Sequence, residues 1–174
     1  MLESLITNKT RLKLLLKFFL NKETTSYLRN LENEFGESTN AIRIELNRFE
    51  KAGLLNAELS GNKKYFRANT DYPLYKEINS ILRKTIGIDR LIDNVVANIG
   101  NLDEAYLVGD LASGKDSTIV DLLLIGKNIN YNHLSELAQK VEKQINRRIR
   151  YLVLPPEEKK EYLTNNTSLL LWNH

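Results

Sequence analysis

The feature that most constrains this chain is a change of period at Gly53. From Thr39 to Ala52, Ile42, Leu46 and Phe49 recur at i, i+4, i+7, the spacing of one helix face, with Ser38 as N-cap and Gly53 as stop. Directly beyond, Leu54 to Leu59 and Lys63 to Ala68 read as strands, and Ser60-Gly61-Asn62 supplies the turn of a short hairpin. Upstream, a helix is expected from Lys9 to near Asn21, capped by Thr7, with Leu12, Leu15, Leu16 and Phe19 inward and Lys13 and Lys17 opposite. A second helix is expected after Thr24 or Thr25, with Tyr27, Leu28, Leu31 and Phe35 inward, ending at Gly36. Three helices and a hairpin within seventy residues form one specific order of elements.

The polar side of the third helix carries the chemistry. With Ile42, Leu46 and Phe49 inward, Thr39, Asn40, Arg43 and Asn47 face out, and their donors and acceptors suit base edges: Arg matches guanine, Asn matches adenine. Ile44 shares that side, as a thymine-methyl contact or part of a partner surface. Near the hairpin tip, Asn62, Lys63, Lys64 and Arg67 suit a phosphate backbone, and one of the alternating rings Tyr65 and Phe66 is expected to pack inward. Residues 1–70 hold 12 Lys and Arg against 8 Glu and no Asp, whereas residues 71–174 hold 13 against 14, so the basic excess lies in front. Charge alone would equally describe a solvated helical face; the order of elements favours a partner.

Pro73 marks a boundary, after which Tyr75 to about Ile99 is helical, with Ile78, Leu82, Ile86, Leu91, Ile92, Val95, Val96 and Ile99 apolar and a break at Gly87. Beyond Gly100 the expected order is a strand over Glu104 to Val108, a glycine-bearing loop, a strand over Ile119 to Ile125, a helix over His133 to Asn146 and a strand over Ile149 to Leu154. Pro155-Pro156 and a short acidic helix to about Leu163 follow, and Leu169 to Trp172 reads as a packing anchor or interface segment. This gives an α+β chain: a DNA-binding domain over 1–70, a helical connector over 71–100 and an α/β domain with a small mixed sheet over 101–174.

Several classes of chemistry are disfavoured. The chain has no cysteine, and its two histidines, His133 and His174, lie far apart in sequence, so no metal site, histidine triad or cofactor is expected. His133 is expected exposed in the first turn of its helix. The apolar stretch Leu12 to Leu20 is interrupted by Lys13 and Lys17 and too short to span a bilayer, and the start lacks the pattern of a signal peptide. The expectation is a cytoplasmic protein without a membrane partner.

The run ESTNAIRIELNRFEKAGLL, Glu37 to Leu55, resembles the recognition helix and helix-end turn of bacterial winged helix-turn-helix repressors of the ArsR and MarR type. The resemblance covers about residues 5 to 70. It implies double-stranded DNA as partner, base-facing positions at Thr39, Asn40, Arg43 and Asn47, and a wing carrying Lys63, Lys64 and Arg67. The stretch VGDLASGKDSTIVDLLLIG, Val108 to Gly126, resembles the nucleotidyltransferase signature, whose paired aspartates hold divalent metal at a triphosphate. Gly109, Gly114 and Asp121 keep that pattern, but Asp110 stands in place of the serine and Ile119 in place of the first aspartate, and the following strand offers no acid. The resemblance therefore implies a non-catalytic, nucleotidyltransferase-like domain with a vestigial ligand site at Gly109, Asp110, Gly114 and Asp121, open to a nucleotide or another small effector. Together the two parts resemble small bacterial transcriptional regulators that act as homodimers. The alternative is a nucleotidyltransferase or antitoxin-like enzyme that uses the winged helix to find its substrate.

Overall fold

The computed structural model describes residues 2–174, and the chain divides into two compact units, one ending at Leu82 and one beginning at Arg83. The first unit opens with a single turn, α1 (Leu2–Leu5), followed by α2 (Lys9–Phe19). Asn8, not Thr7, caps α2, its side chain accepting from the Arg11 N–H at 2.9 Å. Next come β1 (Thr25–Tyr27), α3 (Leu28–Phe35) and α4 (Thr39–Lys51), then the hairpin strands β2 (Leu55–Ser60) and β3 (Lys63–Ala68). The sheet is antiparallel in the order β1-β3-β2. This is a winged helix: α2, α3 and α4, with a hairpin whose turn places Gly61 at a left-handed φ of +61°.

The core of this unit follows the apolar spacing of α4. Ile42, Leu46 and Phe49 are buried beside Leu14, Phe18, Phe19, Leu31 and Phe66. Ser38 caps α4 by accepting from the Ala41 N–H at 3.2 Å, Gly36 ends α3 at φ +62°, and Asn69 ties the end of β3 back to the Gly53 carbonyl at 2.8 Å.

Three expectations are corrected here. Residues 25–27 form a strand, not the start of a helix, because Thr25, Ser26 and Tyr27 complete the free edge of β3 opposite Arg67, Phe66 and Tyr65. On α3 only Leu31 is fully buried, while Tyr27, Leu28 and Phe35 are half-buried. On α2, Leu14 and Phe18 fill the core where Leu12 and Leu15 were expected, and Lys17 is buried rather than solvated. Its ammonium pairs with Glu34 of α3 at 2.9 Å, which offsets the cost of taking the charge out of water.

Helix α5 (Tyr75–Ile86) begins in the first unit, where Asn79 donates to the carbonyls of Phe19 (2.6 Å) and Leu20 (3.2 Å). The second unit then takes α6 (Ile88–Asn94), separated from α5 by Gly87 at φ +91°, and a 3₁₀ turn at Val96–Asn98. Its remaining elements are β4 (Leu102–Val108), α7 (Gly109–Ala112), β5 (Ile119–Gly126), α8 (Tyr131–Ile145), β6 (Arg148–Leu154), α9 (Lys159–Asn165) and β7 (Ser168–Asn173). The sheet is mixed, ordered β6-β5-β4-β7: β4 runs antiparallel to β5 and β7, and β5 runs parallel to β6 after the crossover through α8. This strand, glycine turn, antiparallel strand and parallel crossover follow the order of elements expected for this part of the chain.

Strand β5 is buried on both faces. Tyr106, Val108, Leu123 and Ile125 form the cluster on one face, with Leu154 of β6 and Tyr162 and Leu163 of α9 packed on it. Lys159 clips α9 down by donating to Glu104 at 2.7 Å, and the Tyr106 hydroxyl donates to the same carboxylate. The Lys159 bond, then the tyrosine, hold the Glu104 carboxyl below its usual range. We expect Lys159→Ala to lower the stability of this unit by about 1 kcal/mol in a denaturant titration. Because the folded Glu104 value lies below the unfolded one, that difference is present above the unfolded value and fades as pH falls through the folded one.

Candidate nucleic-acid interface

Helix α4 projects its outward side chains because its other face is locked twice. Apolar packing holds one line, and Glu45, buried among it with only 3% of its side chain exposed, holds the next. The Glu45 carboxylate accepts from Arg11 Nε of α2 at 2.8 Å, from Arg11 Nη2 at 3.2 Å, from Arg48 Nη1 at 2.6 Å and from Asn8 Nδ2 at 3.3 Å. The Arg11 hydrogen bond is the largest influence pulling the Glu45 carboxyl below its ordinary value, against the opposing effect of burial. The same bond raises the Arg11 guanidinium. The sequence reading passed over Glu45, although its position three residues after Ile42, on the inward face of a helix, was the signal.

Beside this locked helix lies a groove of about 680 Å³, bounded by α3, α4 and the wing. Six of the eight residues singled out as DNA contacts line it: Thr39, Arg43 and Asn47 from α4 and Asn62, Lys63 and Lys64 from the hairpin. Asn40 and Arg67 are exposed but do not line it. Arg29 and Glu32 of α3 and Tyr27 of β1 complete the wall, and sequence reasoning missed all three. The lining side chains thus carry four cations against one anion. Arg29 and Arg43 make no ion pair among the described residues. Lys63 lies over the Tyr27 ring at 4.5 Å, while Lys64 is held by Glu50 at 2.6 Å and lies over Phe66. Ile44, the apolar residue expected on the outward side of α4, is 43% exposed.

In the second unit the residues of the expected ligand site separate. Gly109 and Asp121 border a cavity of about 310 Å³ with Arg150, Tyr162 and Asn166. Asp110 and Gly114 do not line it; Gly114 is buried in the turn after α7 at φ +76°, its N–H donating to the Leu111 carbonyl at 3.0 Å. His133 is exposed in the first turn of α8, its N–H donating to the Asn130 side chain at 3.1 Å. Trp172 lies half-buried on β7 in register with Ala105.

No helix among the described residues is long and apolar enough to cross a membrane. No family model matches the chain, and no curated protein matches it. Solved structures similar to part of it include HlyU from Vibrio cholerae, at 16% identity over 53% of this chain and 82% of that one with a TM-score of 0.36. A protein described as a possible transcriptional regulator for arsenical resistance shares 26% identity over 55% of this chain and 90% of its own, with a TM-score of 0.32. A candidate nucleotidyltransferase from Sulfolobus solfataricus shares 21% identity over 52% and 82%, with a TM-score of 0.38.

Proposed function

We propose that this protein is a sequence-specific DNA-binding regulator of transcription that acts as a homodimer and whose second unit does not transfer nucleotides. The observation that supports it is the convergence of Arg43 and Asn47 on α4, Asn62, Lys63 and Lys64 on the wing, and Arg29 on α3 around one cationic groove. In this reading α4 enters the major groove, where Arg43 reads guanine and the asparagines read adenine. The wing and Arg29 take the flanking phosphates, and two copies reading paired half-sites multiply the specificity of one.

Selection of bound duplexes from a random pool, followed by titration of the enriched duplex across salt concentrations, tests this. Lys63→Ala should weaken binding to every sequence alike and reduce the salt slope by about 1. Lys64→Ala should act in the same direction but less, because Glu50 already neutralises part of its charge. A pool that yields no enriched duplex would refute the reading. Sedimentation as a monomer at micromolar concentration, with and without DNA, would remove the homodimer. Label transferred from a nucleoside triphosphate with magnesium by the wild type, and lost in Asp121→Ala, would put the transferase in its place.

A further inference from the structure

The nucleotidyltransferase-like resemblance implies a divalent cation held by paired carboxylates, and the residues in this cavity do not fit one. The first carboxylate position is Ile119. The carboxylate that remains, Asp121, has both oxygens taken: Arg150 Nε donates to Oδ1 at 2.6 Å and Nη2 to Oδ2 at 2.9 Å, the bidentate fork that suits a guanidinium to a carboxylate. The pairing is built into the sheet, because the parallel register of β5 and β6 sets Arg150 directly beside Asp121. From the other side the Gly109 turn closes in, so near that a Cβ there would lie 2.6 Å from Asp121 Oδ2. Asp110 is the other acid within electrostatic reach of Arg150. Among the described residues there is no group of three or more His, Cys, Asp or Glu that could hold a metal ion.

We infer that Arg150 is a tethered cation in the place of the divalent ion, and that its fork on Asp121 closes this cavity to metal. A divalent ion needs several oxygen ligands at once, and here the guanidinium already occupies both oxygens of the central one. The inference deepens the reading of the second unit as non-transferring and is independent of DNA binding by the first. Arg150 is two-thirds exposed, so replacing it leaves the core intact.

Mn2+ binding to the full chain without nucleotide, followed by electron paramagnetic resonance, tests it. Wild type and Asp121→Asn should bind equally weakly. Arg150→Ala, or the bulkier Arg150→Gln if alanine unfolds the chain, should bind on the order of tenfold more tightly, as expected when a cation leaves the side of two carboxylates. That gain should vanish when Asp121→Asn is added. Wild-type binding that falls in Asp121→Asn would overturn the inference, as would a folded Arg150 variant with no gain. Label transfer that is insensitive to Asp121→Asn would instead refute the non-transferring reading and leave the Arg150 lock standing, so the two fail separately.

Discussion

Glu45→Ala is expected to destabilise the first unit by about 3 kcal/mol, because it removes the shared acceptor of Arg11, Arg48 and Asn8 from a buried position. Both arginines reach solvent, which limits the loss by letting them rehydrate. The carboxyl is held below its ordinary value in the folded chain, so its contribution is present above the unfolded value and is lost as pH falls through the folded one. Urea titrations of wild type and Glu45→Gln should therefore differ clearly at neutral pH and converge in acid. Equal midpoints at neutral pH would show that the cluster does not hold α4 to α2.

Arg43→Ala should cost about 1 to 3 kcal/mol of binding to a selected duplex, roughly a five- to 150-fold loss, while leaving binding to random duplex little changed. The asymmetry follows from where the charge stands. Arg43 borders the groove with no ion pair among the described residues, whereas Arg48, further along the same helix, is committed to Glu45. Neighbouring Ile44→Ala should have a much smaller effect, since a methyl contact is its only route to a base. An equal loss on selected and random duplexes would make Arg43 a phosphate contact and move base reading elsewhere on α4.

Much of this was legible in the chain because it rests on local periodicity. The spacing of Ile42, Leu46 and Phe49 fixed which side of α4 stays open, and Gly36, Gly53 and Gly87 stop helices where left-handed φ is needed. The features that escaped depend on pairing across distance. Thr25–Tyr27 is too short for alternation to show, and becomes a strand only against β3. Ser168–Asn173 carries an apolar run without alternating polarity, yet completes the sheet beside β4. Lys17 looked solvated because Glu34 lies on another helix, and nothing in the sequence marked Arg150, because its place beside Asp121 exists only in the β5–β6 register. Arg29 and Tyr27 joined the groove for the same reason: α3 and β1 reach it by folding.

In the proposed complex DNA lies along the Asn47 and Asn62 side of the first unit. The chain has no cysteine, so a single introduced thiol reports its own surroundings. Thiol-labelling rates of the Asn47→Cys, Asn62→Cys and Glu23→Cys variants, measured with and without the selected duplex, test it directly. Duplex should slow labelling at positions 47 and 62, which line the groove, and leave position 23, exposed outside it, unchanged. Protection at position 23 with full reactivity at 47 and 62 would contradict it.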